Sequence, residues 1–384
     1  MAIHFERDEF EARKAAVLEE MTARRFDALL LFAPESHYWL TGYDTFGFCF
    51  FQAMLLDRKG EFTLLTRLPD LRQARHTSIV EDVRVWADRG GADPVGPLKE
   101  MLFERDLLGA RIGIEMDTHG LTAKNYAALE ASLRSFAQLH DASDVVPYLR
   151  AVKSPAEIAY VREAARLTEA AFAAGRALIA PGEDEGRILA AMQGTVFEGG
   201  GDYPGNEFII GSGRDALLCR YKSGRRRLEA EDQITLEFAG AYRRYHVAMM
   251  QTVVVGRPTP RHEELFAAAS TARAAGEGVM RPGHTIGDVF DAHARVIDEA
   301  GLHATRMNAC GYSLGARYTP SWMEWPMFYR DNPAEIVPNM VLFAHMILFD
   351  SASGTAMTLG RTYLTTAGDP EPLLPNMPRE LVAC

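Results

Sequence analysis

Cysteine and long apolar runs are both scarce in this sequence. Its 384 residues include four cysteines, which are scattered along the chain without C-x-x-C spacing: Cys49, Cys219, Cys310 and Cys384. This distribution indicates reduced thiols, and it excludes both a disulfide framework and a structural zinc site. No run reaches the ~18 apolar residues of a membrane-spanning helix. The first 21 residues carry charges throughout and lack the apolar core of a signal peptide. A cytoplasmic location is therefore expected.

Positive charge is also in short supply. The chain has 41 Lys and Arg against 52 Asp and Glu, a net charge of −11. This balance disfavours nucleic acid and anionic membranes as partners. A basic stretch at Arg220–Arg227 is the local exception. With 47% hydrophobic and 24% charged residues, the composition is that of a globular protein with a substantial core.

The length and the hydrophobic pattern predict two domains, 1–148 and 149–384. The first half alternates helical and strand patterns, which indicates an α/β domain. A long helix follows at the start of the second domain. Its beginning combines Ser154 as N-cap, Pro155 at the first helical position and Glu157 three residues after the cap.

The second half contains a short internal repeat. The segments "PGEDEGRI" (Pro181–Ile188) and "PGHTIGDV" (Pro282–Val289) share the pattern P-G-x-x-x-G-x-(I/V) and lie 101 residues apart. Each segment follows one predicted helix, begins another and leads to predicted strands. The repeat predicts an α+β domain with a pseudo-twofold axis and a site between its halves.

Three polar residues lie within or beside apolar strand patterns in this second half. Glu237 is inside "ITLEFAG", His246 begins the next strand of the same predicted hairpin, and His345 is inside "NMVLFAHMILF". Burying a carboxylate is costly unless it is paired or used in function. Each residue has two interpretations at this point, a hydrogen-bonded structural group or part of a catalytic site.

The sequence resembles the pita-bread family of metallopeptidases, which includes prolidase, aminopeptidase P, methionine aminopeptidase and a creatine-amidinohydrolase branch. The resemblance rests on "LLLFAPESHYWLTGYD", "YLRAVKSPAEIAYVREAARLTEAA", "IIGSGRDALL", the hairpin "LEFAG…YRRYH…TVVVG", "GYSLG" and "PNMVLFAHMILF". It implies a creatinase-type α/β N-terminal domain and an α+β pita-bread C-terminal domain.

The peptidases of that family hold two divalent metal ions with two Asp, one His and two Glu. The resemblance places these five positions on Glu237, Ala248, Tyr312, His345 and Gly360. A pair of divalent cations needs several carboxylates, and alanine, tyrosine and glycine do not supply them. The sequence therefore predicts no metal and no other cofactor. It is most similar to the metal-free branch with ectoine hydrolase and creatinase.

Membership of that branch implies hydrolysis of a C–N bond in a small nitrogenous compound. Glu237 is expected to act on the substrate, as nucleophile or as general base. His246 or His345 is expected to move protons. Tyr312 and Trp322 are expected to shape the pocket.

Further binding residues follow from the motifs "LTGYD" and "GGDYPG", which contain Tyr43, Asp202 and Tyr203. Arg220 stands where creatinase and ectoine hydrolase keep a histidine. An arginine does not act as a general base, but it can bind a carboxylate through two hydrogen bonds. A carboxylated substrate is therefore expected.

Two alternatives remain open from the sequence. One is a non-catalytic relative that only binds a small molecule or a partner. The other is a Xaa-Pro peptidase-like metalloenzyme with a rebuilt site, in which Glu237, His246 and His345 hold one metal ion. In this family the first domain reaches the neighbouring subunit's site, and segment 42–52 resembles the part that does so, which predicts a homodimer.

Overall fold

The computed structural model describes residues 3–220 and 224–384, and the chain divides into two compact units, Met1–Arg150 and Ala151–Cys384. The first unit alternates helices and strands along the chain. They are α1 (Arg7–Arg24), β1 (Ala28–Leu31), α2 (Pro34–Thr41), β2 (Ala53–Asp57), β3 (Phe62–Arg67), α3 (Leu68–Thr77), β4 (Asp82–Trp86), α4 (Val95–Glu104), β5 (Arg111–Ile114), α5 (Ala123–Leu133), β6 (Gln138–Asp141) and α6 (Val145–Arg150).

The strands of the first unit form a mixed sheet that is buried on both faces. Its strand order within the described residues is β4-β3-β2-β1-β5-β6. Strand β1 is apolar throughout because alternate residues enter different cores. Ala28 and Leu30 pack in one apolar cluster, whereas Leu29 and Leu31 pack in the other. The predicted α/β organisation of this domain is confirmed.

The second unit begins with the long predicted helix. Its elements are α7 (Pro155–Arg176), α8 (Glu185–Glu198), β7 (Ile209–Ser212), β8 (Asp232–Tyr242), β9 (Tyr245–Val255), α9 (Pro260–Val279), α10 (Ile286–Glu299), β10 (Gly311–Ser313), β11 (Glu324–Met327), β12 (Val341–Asp350), β13 (Thr355–Leu364), β14 (Glu371–Pro372) and β15 (Val382–Ala383). The predicted cap of α7 is confirmed. The Glu157 amide donates to Ser154 Oγ at 3.2 Å, and the Ser154 amide donates to Glu157 Oε2 at 2.8 Å.

The sheet of this unit shows the predicted duplication. Within the described residues the strand order is β11-β10-β12-β13-β9-β8-β7, with β14 beside β13 and β15 beside β9. The order is palindromic about the β13–β9 pair, so β10, β12 and β13 mirror β7, β8 and β9. The repeated P-G motifs form equivalent turns, in which Gly182 and Gly283 have φ of 85° and 91°. Both turns lead into capped helices, α8 and α10.

Helices cover one face of this sheet. Helix α7 packs on β8 and β9, and α9 packs on β12 and β13. At this face, Thr168 Oγ1 accepts a hydrogen bond from the Gly240 amide and donates to Val247 O. Because side chains alternate along a strand, Glu237 projects to the opposite face from Gly240. In the described chain, every helix is too short or too polar to cross a membrane.

Candidate functional site

The second unit contains a cavity of about 280 Å³ beside Glu237. It is lined by Asn206, Glu207, Phe208, Ile209, Arg220, Glu237, Tyr312, Pro320, Ser321, Trp322 and Met323. Four residues predicted from the sequence are thereby brought together: Arg220, Glu237, Tyr312 and Trp322. This volume is at the small end for ligand pockets.

Glu237 lies in a continuous row of cross-strand neighbours. The register pairs it with Ile209 and Met250, Met250 with Gly360, and Gly360 with His345. Directly paired residues share a face of the sheet. The Glu237 side chain is only 6% exposed, and its burial raises its pKa to about 7. The Arg220 guanidinium and the Tyr312 hydroxyl act in the opposite direction and lower this pKa.

Tyr312 and Trp322 form a chain of hydrogen-bond donors that ends at Glu237. Trp322 Nε1 donates to the Tyr312 hydroxyl at 2.9 Å, and that hydroxyl donates to Glu237 Oε1 at 3.4 Å. Burial and the neighbouring carboxylate raise the pKa of Tyr312 well above its ordinary value. The phenol therefore stays protonated at neutral pH and remains a donor.

Arg220 supplies the positive charge of this cavity. It is an exposed residue of the lining, and its Nη1 donates to Cys219 O at 3.1 Å. A guanidinium in this position can donate two parallel hydrogen bonds to a carboxylate. Carboxylate binding by Arg220 stays a prediction.

His345 lies behind Tyr312 and is not part of the lining of the described cavity. The rings of Tyr312, Phe343 and His345 form an aromatic trio with centroid separations of 5.4, 5.5 and 5.6 Å. Burial, with smaller contributions from His293 and Arg220, lowers the pKa of His345 to about 3. Its Nδ1 is buried and makes no hydrogen bond within the described chain. The ring is therefore neutral at physiological pH.

The residues at the five family metal positions do not fit a pair of metal ions. The strand register puts Ala248 and Gly360 on the same face as Glu237, beside the trio. A Cβ at Gly360 would lie 2.6 Å from Phe343 Cζ and 2.7 Å from Met250 Cβ, so a benzyl side chain occupies the space of a potential ligand. Across residues 3–220 and 224–384, no three His, Cys, Asp or Glu side chains are placed to hold a metal ion. This geometry disfavours the alternative in which Glu237, His246 and His345 hold one ion.

His246 is fully buried and contacts main-chain groups of two loops. Its Nε2 accepts a hydrogen bond from the Gly205 amide at 2.8 Å, and its Nδ1 lies 3.3 Å from Gly315 O. Burial lowers the pKa of His246 to about 4, so the ring is neutral, with Nδ1–H donating to Gly315. Both nitrogens are occupied, which favours a structural role and disfavours the expected proton transfer.

The Gly205 loop that His246 holds packs directly on the lining of the cavity. A Cβ at Gly205 would lie 2.9 Å from Ser321 O and from Trp322 N, so only glycine allows this approach. Next to it, Asn206 Oδ1 accepts a hydrogen bond from the Trp322 amide at 3.3 Å. The sequence prediction missed Asn206 and Phe343. Phe343 had a usable signal, because it precedes His345 by two residues in a strand and so shares its face.

Three predicted binding residues have other surroundings. Tyr43 is 1% exposed in the core of the first unit, where it stacks on His37, so it offers almost no surface to a substrate. Asp202 Oδ2 accepts a hydrogen bond from the Arg244 amide at 2.9 Å, which ties it to the β8–β9 turn. Tyr203 is 76% exposed and packs edge-on against Phe197. Asp202 and Tyr203 are not part of the lining of the described cavity.

Comparison with known protein families agrees with this architecture. Residues 159–367 match the model of metallopeptidase family M24, and residues 13–152 match the creatinase/prolidase N-terminal domain. The chain belongs to family M24, and its fold is the two-domain pita-bread fold expected from the sequence.

Individual relatives include both non-peptide hydrolases and peptidases. The chain is 28% identical to the ectoine hydrolase of Halomonas elongata over 90% of each protein. It is 23% identical to the Xaa-Pro dipeptidase of Pyrococcus furiosus over 52% of this chain and 56% of that protein. The solved Xaa-Pro dipeptidase of Bacillus anthracis superposes with a TM-score of 0.85, over 98% of this chain and 100% of the other, at 19% identity. This last similarity shows the fold alone.

Proposed function

We propose that this protein is a metal-independent hydrolase that cleaves an amide or amidine C–N bond in a small, carboxylated nitrogenous compound. The observation that carries the proposal is the position of Glu237, a buried carboxylate that lines a small cavity with Arg220, Tyr312 and Trp322. Ectoine hydrolase among the relatives supports cleavage of a non-peptide C–N bond.

Glu237 acts as the general base. Its carboxylate takes a proton from a water molecule while the water oxygen bonds to the amide or amidine carbon. The C–N bond of the tetrahedral intermediate then breaks, and the Glu237 carboxylic acid returns the proton to the leaving nitrogen. An amide gives a carboxylic acid and an amine, which exchange a proton to leave a carboxylate and an ammonium ion, and an amidine gives an amide and an amine. A pKa of about 7 suits both steps, because a group that titrates near the working pH both accepts and donates protons.

The other groups of the cavity orient the reactants. The Tyr312 hydroxyl donates toward Glu237 Oε1, which fixes the direction of the carboxylate, and Trp322 Nε1 holds that hydroxyl in place. Arg220 binds the substrate carboxylate. In this proposal His246 and His345 contact no substrate; His246 positions a loop, and His345 supports the Tyr312 ring.

Metal independence is supported by the side chains at the family metal positions. Alanine, tyrosine and glycine at positions 248, 312 and 360 do not provide the carboxylates that a divalent pair needs. The Phe343 ring fills the space beside Gly360.

The decisive test compares Glu237→Gln with Glu207→Gln, a matched control because Glu207 lines the same cavity at its exposed rim. Small carboxylated amides and cyclic amidines are assayed beside their methyl esters. The wild type and Glu207→Gln should hydrolyse the C–N bond of the carboxylated compounds. For Glu237→Gln, kcat/KM should fall by about 100-fold or more. An equally active Glu237→Gln variant would contradict the mechanism.

A separate variant tests the preference for a carboxylated substrate. Arg220→Gln should raise KM for the carboxylated compound by about tenfold, because a charge-assisted hydrogen-bonded pair is lost. KM for the methyl ester should stay unchanged. Equal increases in KM for both compounds would contradict the proposal that Arg220 binds a carboxylate of the substrate.

The proposal also includes a cytoplasmic homodimer. Within segment 42–52, Phe46 is 80% and Phe50 is 48% exposed, so both rings are available for contact with a second subunit. Sedimentation analysis should give a dimer for the wild type and a larger monomer fraction for Phe46→Ser. A monomeric wild type would contradict this part of the proposal.

A further inference from the structure

A second cavity of the Ala151–Cys384 unit contains three arginines. It has a volume of about 470 Å³, and its polar lining consists of Arg273, Glu277, Arg361, Tyr363, Asp369 and Arg379. We propose that this cavity binds a small organic anion, a carboxylate or phosphate group carried on an apolar body. The inference does not rest on the proposed hydrolase activity.

Arg361 provides the first argument, because it is a buried cation that donates no hydrogen bond to a carboxylate within the described chain. Only 7% of the residue is exposed. The hydrogen bonds that it donates within the described chain all go to neutral oxygens: Gly360 O at 2.8 Å, Gln251 Oε1 at 2.9 Å, Pro378 O at 3.0 Å and Met250 O at 3.4 Å. A buried charge is costly unless an opposite charge compensates it. A bound anion supplies that compensation.

The remaining charges of the lining leave the cavity positive. Glu277 accepts hydrogen bonds from Arg273 and from the Tyr363 hydroxyl, so its charge is already balanced by Arg273. Asp369 pairs with Arg281, which is outside the lining, at 3.2 Å. Glu277 also acts on Arg361 through its negative charge, so this one carboxylate is shared by two arginines and the described lining keeps an excess of positive charge, in a protein whose net charge is −11.

The other residues of the lining specify the rest of the ligand. One wall of the cavity is formed by the C-terminal segment, which also carries Arg379, and it is rich in apolar residues: Pro370, Pro372, Leu374, Pro375, Met377 and Pro378. This wall offers contact to an apolar ring or chain but few polar groups. An anionic group at the arginines with an apolar body against the wall satisfies both surfaces.

This cavity and the Glu237 cavity use opposite faces of the sheet. Gly360 shares the face of Glu237, and Arg361 follows Gly360 directly in β13, so its side chain projects to the other face. There it meets α9, which contributes Arg273 and Glu277. The two sites have no lining residue in common.

The experiment measures binding of three probes by calorimetry and thermal unfolding: inorganic phosphate, phenyl phosphate and benzoate, each against chloride at equal ionic strength. Phenyl phosphate against inorganic phosphate tests the apolar wall, and phenyl phosphate against benzoate distinguishes the two anionic groups. The variants are Arg273→Gln and Arg379→Gln, which alter side chains with more exposure than Arg361. Arg295→Gln, an exposed arginine of α10 outside the cavity, is the matched control.

At least one aromatic probe should bind the wild type and the Arg295→Gln control more tightly than inorganic phosphate does. Arg273→Gln and Arg379→Gln should each weaken that binding by about tenfold. Arg220→Gln should leave it unchanged, because Arg220 belongs to the other cavity. The proposal is wrong if no probe stabilises the protein beyond chloride, or if Arg220→Gln abolishes binding while Arg273→Gln and Arg379→Gln preserve it.

Discussion

At the scale of single residues, the burial of Glu237 sets its protonation. Glu237 is a carboxylate inside an apolar strand, and its pKa of about 7 lies well above the ordinary 4.5. The raised pKa means that the folded state binds the proton more tightly than the unfolded state does. The protonated side chain therefore favours folding, whereas the ionised one opposes it.

The first prediction follows from this linkage. The stabilising contribution of Glu237 is fully present below about pH 4.5 and is lost as the pH rises through about 7. Glu237→Gln removes the titration, so the variant should match the wild type at pH 4.5 and exceed its unfolding free energy by about 3 kcal/mol at pH 8. Urea unfolding at both pH values measures the difference. Glu207→Gln is the control, and the same pH dependence in both variants would contradict the assigned pKa.

The sequence predicted the chemical character of individual residues better than it predicted which residues contact each other. Glu237 was recognisable because burying a carboxylate in the apolar strand "ITLEFAG" is costly unless it is paired or used in function. The trio of Tyr312, Phe343 and His345 was not recognisable, because its members meet only through the register of β10 and β12. The contacts of His246 were not recognisable for a related reason. Its partners are the main-chain groups of Gly205 and Gly315, and a sequence gives no information on distant main-chain contacts.

At the scale of elements, His246 connects strand β9 to two loops. Its hydrogen bonds hold the Gly205 loop against Trp322, a residue of the cavity lining. His246→Ala should lower the melting temperature, because the buried Gly205 amide loses its acceptor and Gly315 O keeps only the main-chain amide of residue 246 as donor. If the loop only positions the substrate, KM should rise about tenfold with a smaller change in kcat.

The control for this prediction is His303→Ala, which changes an exposed histidine of the same unit. A loss of kcat without a change in KM or melting temperature would instead indicate direct participation of His246 in proton transfer. The division between KM and kcat thus separates the positioning role from the catalytic one.

The pairing of β12 with β13 depends on Gly360. A Cβ at this position would meet Phe343 Cζ and Met250 Cβ at 2.6 and 2.7 Å, closer than side chains approach. Gly360→Ala should therefore destabilise the fold by about 1–3 kcal/mol. Gly194→Ala in α8 is the matched control, because a Cβ there has open space, and it should stabilise the helix by about 0.5–1 kcal/mol.

A double-mutant cycle checks that the cause is the Phe343 ring. Phe343→Leu shortens the side chain, so Gly360→Ala should cost less in the Phe343→Leu background than in the wild type. Denaturant unfolding of the four proteins gives the coupling energy. Additive effects would show that Phe343 does not fill the space beside position 360.

At the scale of the whole molecule, the hydrophobic pattern and the repeated P-G motif predicted most of the fold. The apolar runs predicted the sheet of the first unit, and the repeat at Pro181 and Pro282 predicted the palindromic sheet of the second. These features depend on local sequence, so they could be predicted. The Arg361 cavity was not anticipated, because it is formed by α9, β13 and the C-terminal segment, which are far apart in sequence.

The whole-molecule consequence of the rebuilt site concerns metal content. The five positions that the resemblance assigns to metal ligands include one carboxylate in this chain, Glu237, and an aromatic trio lies beside them. Protein purified without chelator should contain far less than one divalent ion per chain by elemental analysis. Dialysis against EDTA, or addition of Mn²⁺ or Co²⁺, should leave the melting temperature and the hydrolytic rate unchanged, because the described residues offer no cluster of ligands to a cation. Activity that disappears with EDTA and returns with Mn²⁺ would contradict the metal-independent mechanism. Such a result would leave the proposal of anion binding at the Arg361 cavity unaffected.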